Sequence, residues 1–379
     1  HRVAVTAPLK IISVANQKGG VGKTTTAVNF AASLAAAGHK TLLIDLDPQG
    51  NASSGLGIDR YSANTIYDVL IGRTELTQSI QESSLKGLFV IPANQNLIGA
   101  EVELINAISR ERKLKTALKK LPEDFQFVVF DCPPSLGLLT INAFTASQSL
   151  LIPIQCEYYA MEGLGQLLNT FQIVKEDLNQ DLTIEGIVPT MFDPRNKLTH
   201  EVVKEMKNHF PSELYEAQVP RNVKLSESPS FGKPVLLYDW DSKGAQAYLA
   251  VAAEFLKRNG FEAPDWKAVH KELFPEPVEE MVIEASPAII EEIAAPSVVV
   301  IPEVAALSDA ELEVLTAPEG REAFINEGIL QPEPELDINT VGRNEEPGLG
   351  GSPRQAEKSA DNEPVFNNSS NSSEIQSEV

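Results

Sequence analysis

The chain opens with a short apolar run, Ile11-Ile12-Ser13-Val14, followed at once by a glycine-rich stretch and then by an Ala- and Leu-rich segment without proline. The run 10–14 predicts a buried strand. The segment 24–37, closed by Gly38, predicts a helix with a glycine C-cap. A second apolar run, 41–44, ends in Asp45-Leu46-Asp47-Pro48-Gln49. Strand, loop, helix and strand in that order make a βαβ unit, and such units build parallel sheets. The alternation continues along the chain. Strands are predicted over 88–92, 127–131, 149–153 and 184–189, and helices over 101–120, 161–175, 199–209 and 245–257. The expected fold class is α/β, a mostly parallel twisted sheet flanked by helices on both faces.

Composition divides the chain. Its 379 residues allow one large domain plus a further segment, or two domains. The net charge of −22 is uneven: residues 1–260 hold 25 Lys+Arg and 27 Asp+Glu, a net of −2, and residues 261–379 hold 6 and 26, a net of −20. The acidity therefore says nothing against an anionic partner for the first part. Residues 1–9 read as a lead and 10–260 as a globular domain. Residues 261–379 read as an acidic, largely disordered tail, since they carry 12 of the 25 prolines and end in Asn, Ser and Glu. Such a segment cannot bury enough apolar surface to offset its ordering entropy. Ser308-Asp309-Ala310-Glu311 has the form of a capping box and predicts a short helix near 308–316. The tail either binds a partner or merely solubilises, and its sequence fits both. Cys132 and Cys156 are expected as buried free thiols. No apolar stretch reaches the ~18 residues that cross a bilayer, and no secretory signal is visible, so a cytoplasmic location is expected. The chain begins with His1 rather than Met, so His1 need not be the natural N-terminus.

The chemistry lies in the first turn. Between the predicted strand and helix stands Gln17-Lys18-Gly19-Gly20-Val21-Gly22-Lys23-Thr24-Thr25. A glycine-rich turn there aims backbone N–H groups and the positive helix end at a phosphate. Gly19, Gly20 and Gly22 let the chain turn tightly around the anion. Lys23 would reach the β- and γ-phosphates, the Thr24 hydroxyl would bind Mg²⁺, and Thr25 would add a contact to the α-phosphate. This is the P-loop NTPase pattern, with Mg²⁺ and ATP as the expected ligands. Two acids accompany it. Asp47 follows the second strand, where a carboxylate can hold an attacking water. Asp131 ends the strand Phe127-Val128-Val129-Phe130 and precedes Cys132-Pro133-Pro134-Ser135. No His or Cys nucleophile constellation stands beside them, which argues against hydride or acyl transfer.

The loop departs from the common pattern in having Gln17 where Gly is usual and a second lysine, Lys18, near its start. Lys-Gly-Gly-Val-Gly-Lys-Thr resembles the deviant Walker A motif of the ParA/MinD ATPase family. The resemblance covers about 10–260. Its most specific runs, Asp45-Leu-Asp-Pro-Gln-Gly-Asn-Ala52 and Val219-Pro-Arg-Asn-Val-Lys-Leu-Ser-Glu-Ser-Pro229, look like chromosomal ParA/Soj-type partition ATPases. It implies an ATP-sandwich homodimer in which Lys18 acts in trans on the partner's phosphates, in the manner of an arginine finger, and in which Gly19 must stay small. It implies Asp47 as the switch residue, Asp45 as a contact to a Mg²⁺-bound water or to the groups that hold the ion, and Asp131 as a Walker B acid holding Mg²⁺ through water. Pro220 and Asn222 are expected near the adenine.

The resemblance further implies non-specific DNA binding by the ATP dimer, a nucleoid association, and a ParB-like partner that stimulates hydrolysis and release. Arg195 and Lys224 match the family's DNA-contact positions, with Lys at the second replacing the usual Arg. Lys197 is a further candidate, and ordinary solvated charges remain the alternative for each. A MinD-like membrane helix is not expected, because the chain ends acidic rather than basic and amphipathic. The cysteine spacing does not suit the cluster ligands of a nitrogenase-type iron protein. No helix-turn-helix is expected in the nine residues before Lys10. Two alternatives to DNA partition stay open: an ATPase that positions a non-DNA cargo, and a regulator that recruits partners through its acidic tail.

Overall fold

The computed structural model describes residues 8–61, 64–157 and 160–275. The chain divides into two units, His1–Met281 and Val282–Val379, and all the described residues belong to the first. The expected tail beyond residue 275, with the short helix near 308–316, therefore lies outside the described residues.

Seven strands form one sheet: β1 (Lys10–Val14), β2 (Thr41–Asp45), β3 (Gln81–Glu82), β4 (Leu88–Ile91), β5 (Phe127–Asp131), β6 (Ser149–Gln155) and β7 (Thr183–Thr190). They lie in the order β3-β4-β2-β5-β1-β6-β7. All neighbours are parallel except the short edge pair β3–β4. The apolar runs form the centre because only a strand covered on both faces can bury consecutive side chains. β5 shows this directly. Phe127 and Val129 join one core, and Val128 and Phe130 join the other, across the sheet.

Helices complete both cores. On one face Lys23–Ala36 packs beside Lys243–Arg258, and the rings of Phe30 and Phe255 meet edge to face at 4.9 Å between centroids. On the other, Leu139, Ala143 and Phe144 of Leu138–Ala146 join Leu164, Leu167 and Phe171 of Ala160–Asp177. Because β5 lies between β2 and β1, the loops after β1, β2 and β5 emerge side by side at the carboxyl ends of adjacent strands, where α/β sheets place their ligand sites.

Two predicted boundaries change. The expected helix 101–120 is instead a helix Leu97–Glu103, a 3-10 turn Arg110–Arg112 and a helix Lys113–Leu118. The break is held from outside. Asn142 accepts from the Leu114 amide at 3.1 Å and donates to the Arg110 carbonyl at 2.8 Å, and Ser109 takes the left-handed conformation, φ 53°. Charge patterning along the segment carries no trace of Asn142. Past residue 260, Asp265 caps a further helix, Trp266–Leu273, whose Trp266 and Leu273 pack against the core.

Candidate active site

Asn16 anchors the loop that follows β1. Its side chain donates to the Pro153 carbonyl at 2.8 Å and accepts from the Lys18 amide at 3.0 Å. At the other end the Thr190 hydroxyl donates to the Val21 carbonyl at 2.8 Å, and the Val21 side chain is buried. Thr26 meets the Tyr248 hydroxyl at 3.0 Å, fixing the first helical turn to the helix Lys243–Arg258. The loop is thus tied to β6, β7 and a distant helix. Gly20 and Gly22 lie at φ 75° and 86°, which a side chain strongly disfavours. Gly19 is different. Its φ is not positive, and an added Cβ would meet nothing within 4 Å. Nothing inside one protomer requires glycine there.

The two lysines have unlike surroundings. Lys23 is buried and folds its ammonium back onto the Lys18 carbonyl at 3.1 Å. Burial lowers its pKa, and the charges of Asp131 and Asp47 oppose that shift. Lys18 is 36% exposed and directs its ammonium to Glu157, 3.2 Å away. Thr24 and Thr25 stand half-buried at the start of the helix.

Three acids converge on this loop. Asp45 and Asp131 are paired across β2 and β5, both fully buried. Asp45 is engaged: it accepts from the Ser53 amide at 2.9 Å, the Ser53 hydroxyl at 2.7 Å and the Asp47 amide at 3.1 Å. Burial nevertheless raises its pKa to about 6, because loss of water outweighs those donors. Its immediate task is to position the turn that carries Asp47. Neither carboxylate oxygen of Asp131 has a hydrogen-bond partner among the described residues. Burial, then the neighbouring charge of Asp45, push its pKa well above the carboxylate range, with Thr24 and Lys23 acting against them. Asp47 is half-buried and close enough for its charge to act on Lys23. Its turn is rigid: Asp47 accepts from the Gln49 amide at 2.9 Å, and its carbonyl accepts from Gly50 at 2.8 Å.

An orphaned, buried carboxylate beside a threonine at a helix N-terminus fits a hydrated divalent cation. Among the described residues no group of three or more His, Cys, Asp or Glu could hold a metal ion. Mg²⁺ keeps several waters and takes much of its shell from substrate phosphates.

A cavity of about 330 Å³ opens beside Gly22 and Thr25 and is lined by Met191, Pro220, Asn222 and Tyr248 among others. The run 219–229, some two hundred residues from the loop, is brought against it, so Pro220 and Asn222 line a cavity that also reaches Gly22 and Thr25 of the loop. Asn222 also caps the helix Val223–Glu227 through the Lys224 amide at 3.0 Å. Sequence reasoning missed Met191 and Tyr248, since neither lies in a motif.

The two expected DNA contacts are locally paired. Arg195 is 88% exposed and grips Asp193 through two side-chain nitrogens, at 3.0 and 2.9 Å, holding that carboxyl down at about 2. Lys224 contacts Glu227 at 3.0 Å, and Glu227 also accepts from the Tyr238 hydroxyl. Arg221, overlooked in the sequence, is exposed and helps hold Asp193 down. It therefore joins the Arg195 side to the 219–229 run. Lys197 begins the exposed face of the helix Lys197–His209.

A glycine loop with a buried lysine, a free buried acid and a rigid carboxylate turn, at the carboxyl end of a parallel sheet, defines a P-loop nucleoside triphosphatase. Comparison with known proteins narrows the class. Residues 9–184 match a family model described as an AAA domain. The chain is 53% identical over 256 residues to the chromosome partitioning protein ParA of Myxococcus xanthus, covering 67% of this chain and 90% of that one. It is 53% identical over 246 residues to the sporulation initiation inhibitor protein Soj of Bacillus subtilis, covering 65% and 97%. Among solved structures, cobyrinic acid a,c-diamide synthase of Mycobacterium smegmatis, with bound ATP analogue and magnesium, superposes with a TM-score of 0.59 at 36% identity, covering 68% and 98%. The septum site-determining protein MinD of Pyrococcus horikoshii, complexed with Mg-ADP, gives 0.54 at 26% identity, covering 66% and 98%. The chain belongs to the ParA/Soj family of chromosome-partitioning P-loop ATPases.

Proposed function

We propose that this ATPase closes as a homodimer around two Mg·ATP, binds DNA without sequence preference in that state, and is released when a ParB-like partner stimulates hydrolysis. The observation that carries the reading is the contrast between the loop's two lysines. Lys23 is buried and directed into its own loop, whereas Lys18 is half-exposed and directed away from it. A lysine so placed is available to a second copy.

In each site Lys23 neutralises phosphate charge and the loop amides hold the phosphates. Thr24 and, through water, Asp131 would hold Mg²⁺, with Asp45 beside them as a supporting acid, and a bound ion would supply charge neutralisation on the phosphate oxygens. Asp47, on its rigid turn, orients the attacking water. Lys18 of the second copy neutralises charge that develops in the transition state. Pro220 and Asn222 border the base. Arg195, Arg221 and Lys224 supply the positive surface for the DNA backbone, and such binding weakens steeply with salt. The reading places the protein in the cytoplasm on the nucleoid. The experiment is an ATPase assay with and without DNA and the partner. Slow turnover, raised severalfold or more only when both are present, supports the reading. A rate indifferent to both contradicts it.

A further inference from the structure

Lys18 does not stand free in the protomer. Its ammonium lies 3.2 Å from Oε2 of Glu157, just past the end of β6. The other oxygen, Oε1, faces Arg221 at 3.6 Å and also accepts from the Gln155 side chain. The Glu157 amide donates to the Gln155 carbonyl at 2.8 Å, which fixes where the carboxylate starts. One carboxylate therefore clasps the first lysine of the phosphate loop and an arginine at the rim of the base cavity. These two cations come from segments about 200 residues apart.

We infer that Glu157 is a positioning residue that holds Lys18 against its own protomer until nucleotide and a second copy take the lysine over. The inference deepens the proposed reading and rests on the assignment of Lys18 in trans. The physical case is a competition. A polyphosphate presents more negative charge than one carboxylate, so a second copy's nucleotide outbids Glu157 for the ammonium. The pair itself is exposed, and such pairs are individually weak. A weak clasp is what a releasable contact needs. The Arg221 arm lets a base entering the cavity act on the same carboxylate from its other side. Without nucleotide, Lys18 is neutralised in place, and two loops do not confront each other with bare lysines.

The test measures the concentration at which the full chain dimerises in saturating ATP and Mg²⁺, by sedimentation. An Asp47→Ala background keeps hydrolysis from dissolving the dimer. Glu157→Gln keeps the shape and removes the charge. It is expected to lower the dimerisation midpoint roughly three- to tenfold, since one weak pair is released in each of two protomers. Lys18→Ala should lose the ATP dimer. The opposite signs of the two changes separate a clasp on Lys18 from a merely structural role for Glu157, because loss of a structural residue would weaken the dimer rather than tighten it. Should Glu157→Gln not fold, Glu157→Asp, which shortens the reach, reads the same midpoint and shifts it in the same direction. A midpoint that is unchanged or raised by removing Glu157, with Lys18→Ala still unable to dimerise, overturns the inference alone. A Lys18→Ala protein that dimerises like its parent overturns the underlying reading instead.

Discussion

Asp45 and Asp131 are direct cross-strand partners on β2 and β5, two buried acids side by side with opposite circumstances. Ser53 and the Asp47 amide occupy Asp45, while Asp131 has no partner among the described residues. Both pKa values are raised, Asp45 to about 6 and Asp131 well above its ordinary value. A carboxyl raised on folding holds its proton longer in the native state. Its contribution is most favourable below the unfolded value near 4 and is lost as pH rises through the folded one. Asp131→Asn removes the less compensated of the two acids. The variant is expected to unfold ~2–4 °C above wild type at pH 8, a gain of about 1 kcal/mol, with a smaller gap at pH 4 and no hydrolysis. Thermal unfolding at the two pH values checks this. A variant less stable than wild type at pH 8 contradicts it.

Lys23→Ala is expected to abolish nucleotide binding. The buried ammonium is the loop's own counter-charge, and a fluorescent ATP analogue titrated to millimolar concentration should give no saturable signal. Normal binding and dimerisation by this variant would remove the site assignment.

Gly50 turns the chain under Asp47 at φ 62°, and an added Cβ would stand 2.6 Å from the Ala93 carbonyl. Gly50→Ala is therefore strained twice over. A cost of about 1–3 kcal/mol is expected, seen as a fall in the unfolding midpoint. Hydrolysis should drop with it while ATP binding, which uses the other loop, stays within severalfold of wild type.

Arg195→Ala and Arg221→Ala are expected to weaken DNA binding severalfold each, alike on unrelated sequences, and to flatten the dependence of affinity on salt by about one charge per residue. Their ATP-dependent dimerisation should persist. Binding by fluorescence anisotropy at several salt concentrations decides it, and an unchanged salt slope would place the DNA surface elsewhere.

The phosphate loop was legible in the sequence because it depends on local conformation. Two positive-φ glycines, a lysine and a threonine must follow a strand in a set spacing, and no distant residue alters that need. The placement of the acids was legible for a related reason: Asp131 ends an apolar run, and that run is a buried central strand whose end lies beside the loop. Contacts made across the fold left no local trace. Asn142 breaks the expected helix 101–120 from another element, Met191 and Tyr248 reach the cavity beside the loop from a loop and a helix far along the chain, and Glu157 looks like one more charge after a strand. What Asp45 does was half-visible. Its place beside the site could be read, but its grip on Ser53 and the Asp47 turn needed the pairing of β2 with β5.

The central claim is that each active site is completed by Lys18 of the second copy, and mixing two inactive variants tests it most directly. Lys18→Ala retains its own Asp47 but lends no lysine, whereas Asp47→Ala lends the lysine but cannot orient water. In a mixed dimer one site of the two is whole. An equal mixture, assayed with DNA and partner, is predicted to regain ATP turnover, up to roughly a quarter of the wild-type rate, the limit set by random pairing with one whole site in each mixed dimer. A mixture as inactive as its two components, or a Lys18→Ala protein that hydrolyses ATP at the wild-type rate alone, would contradict the account.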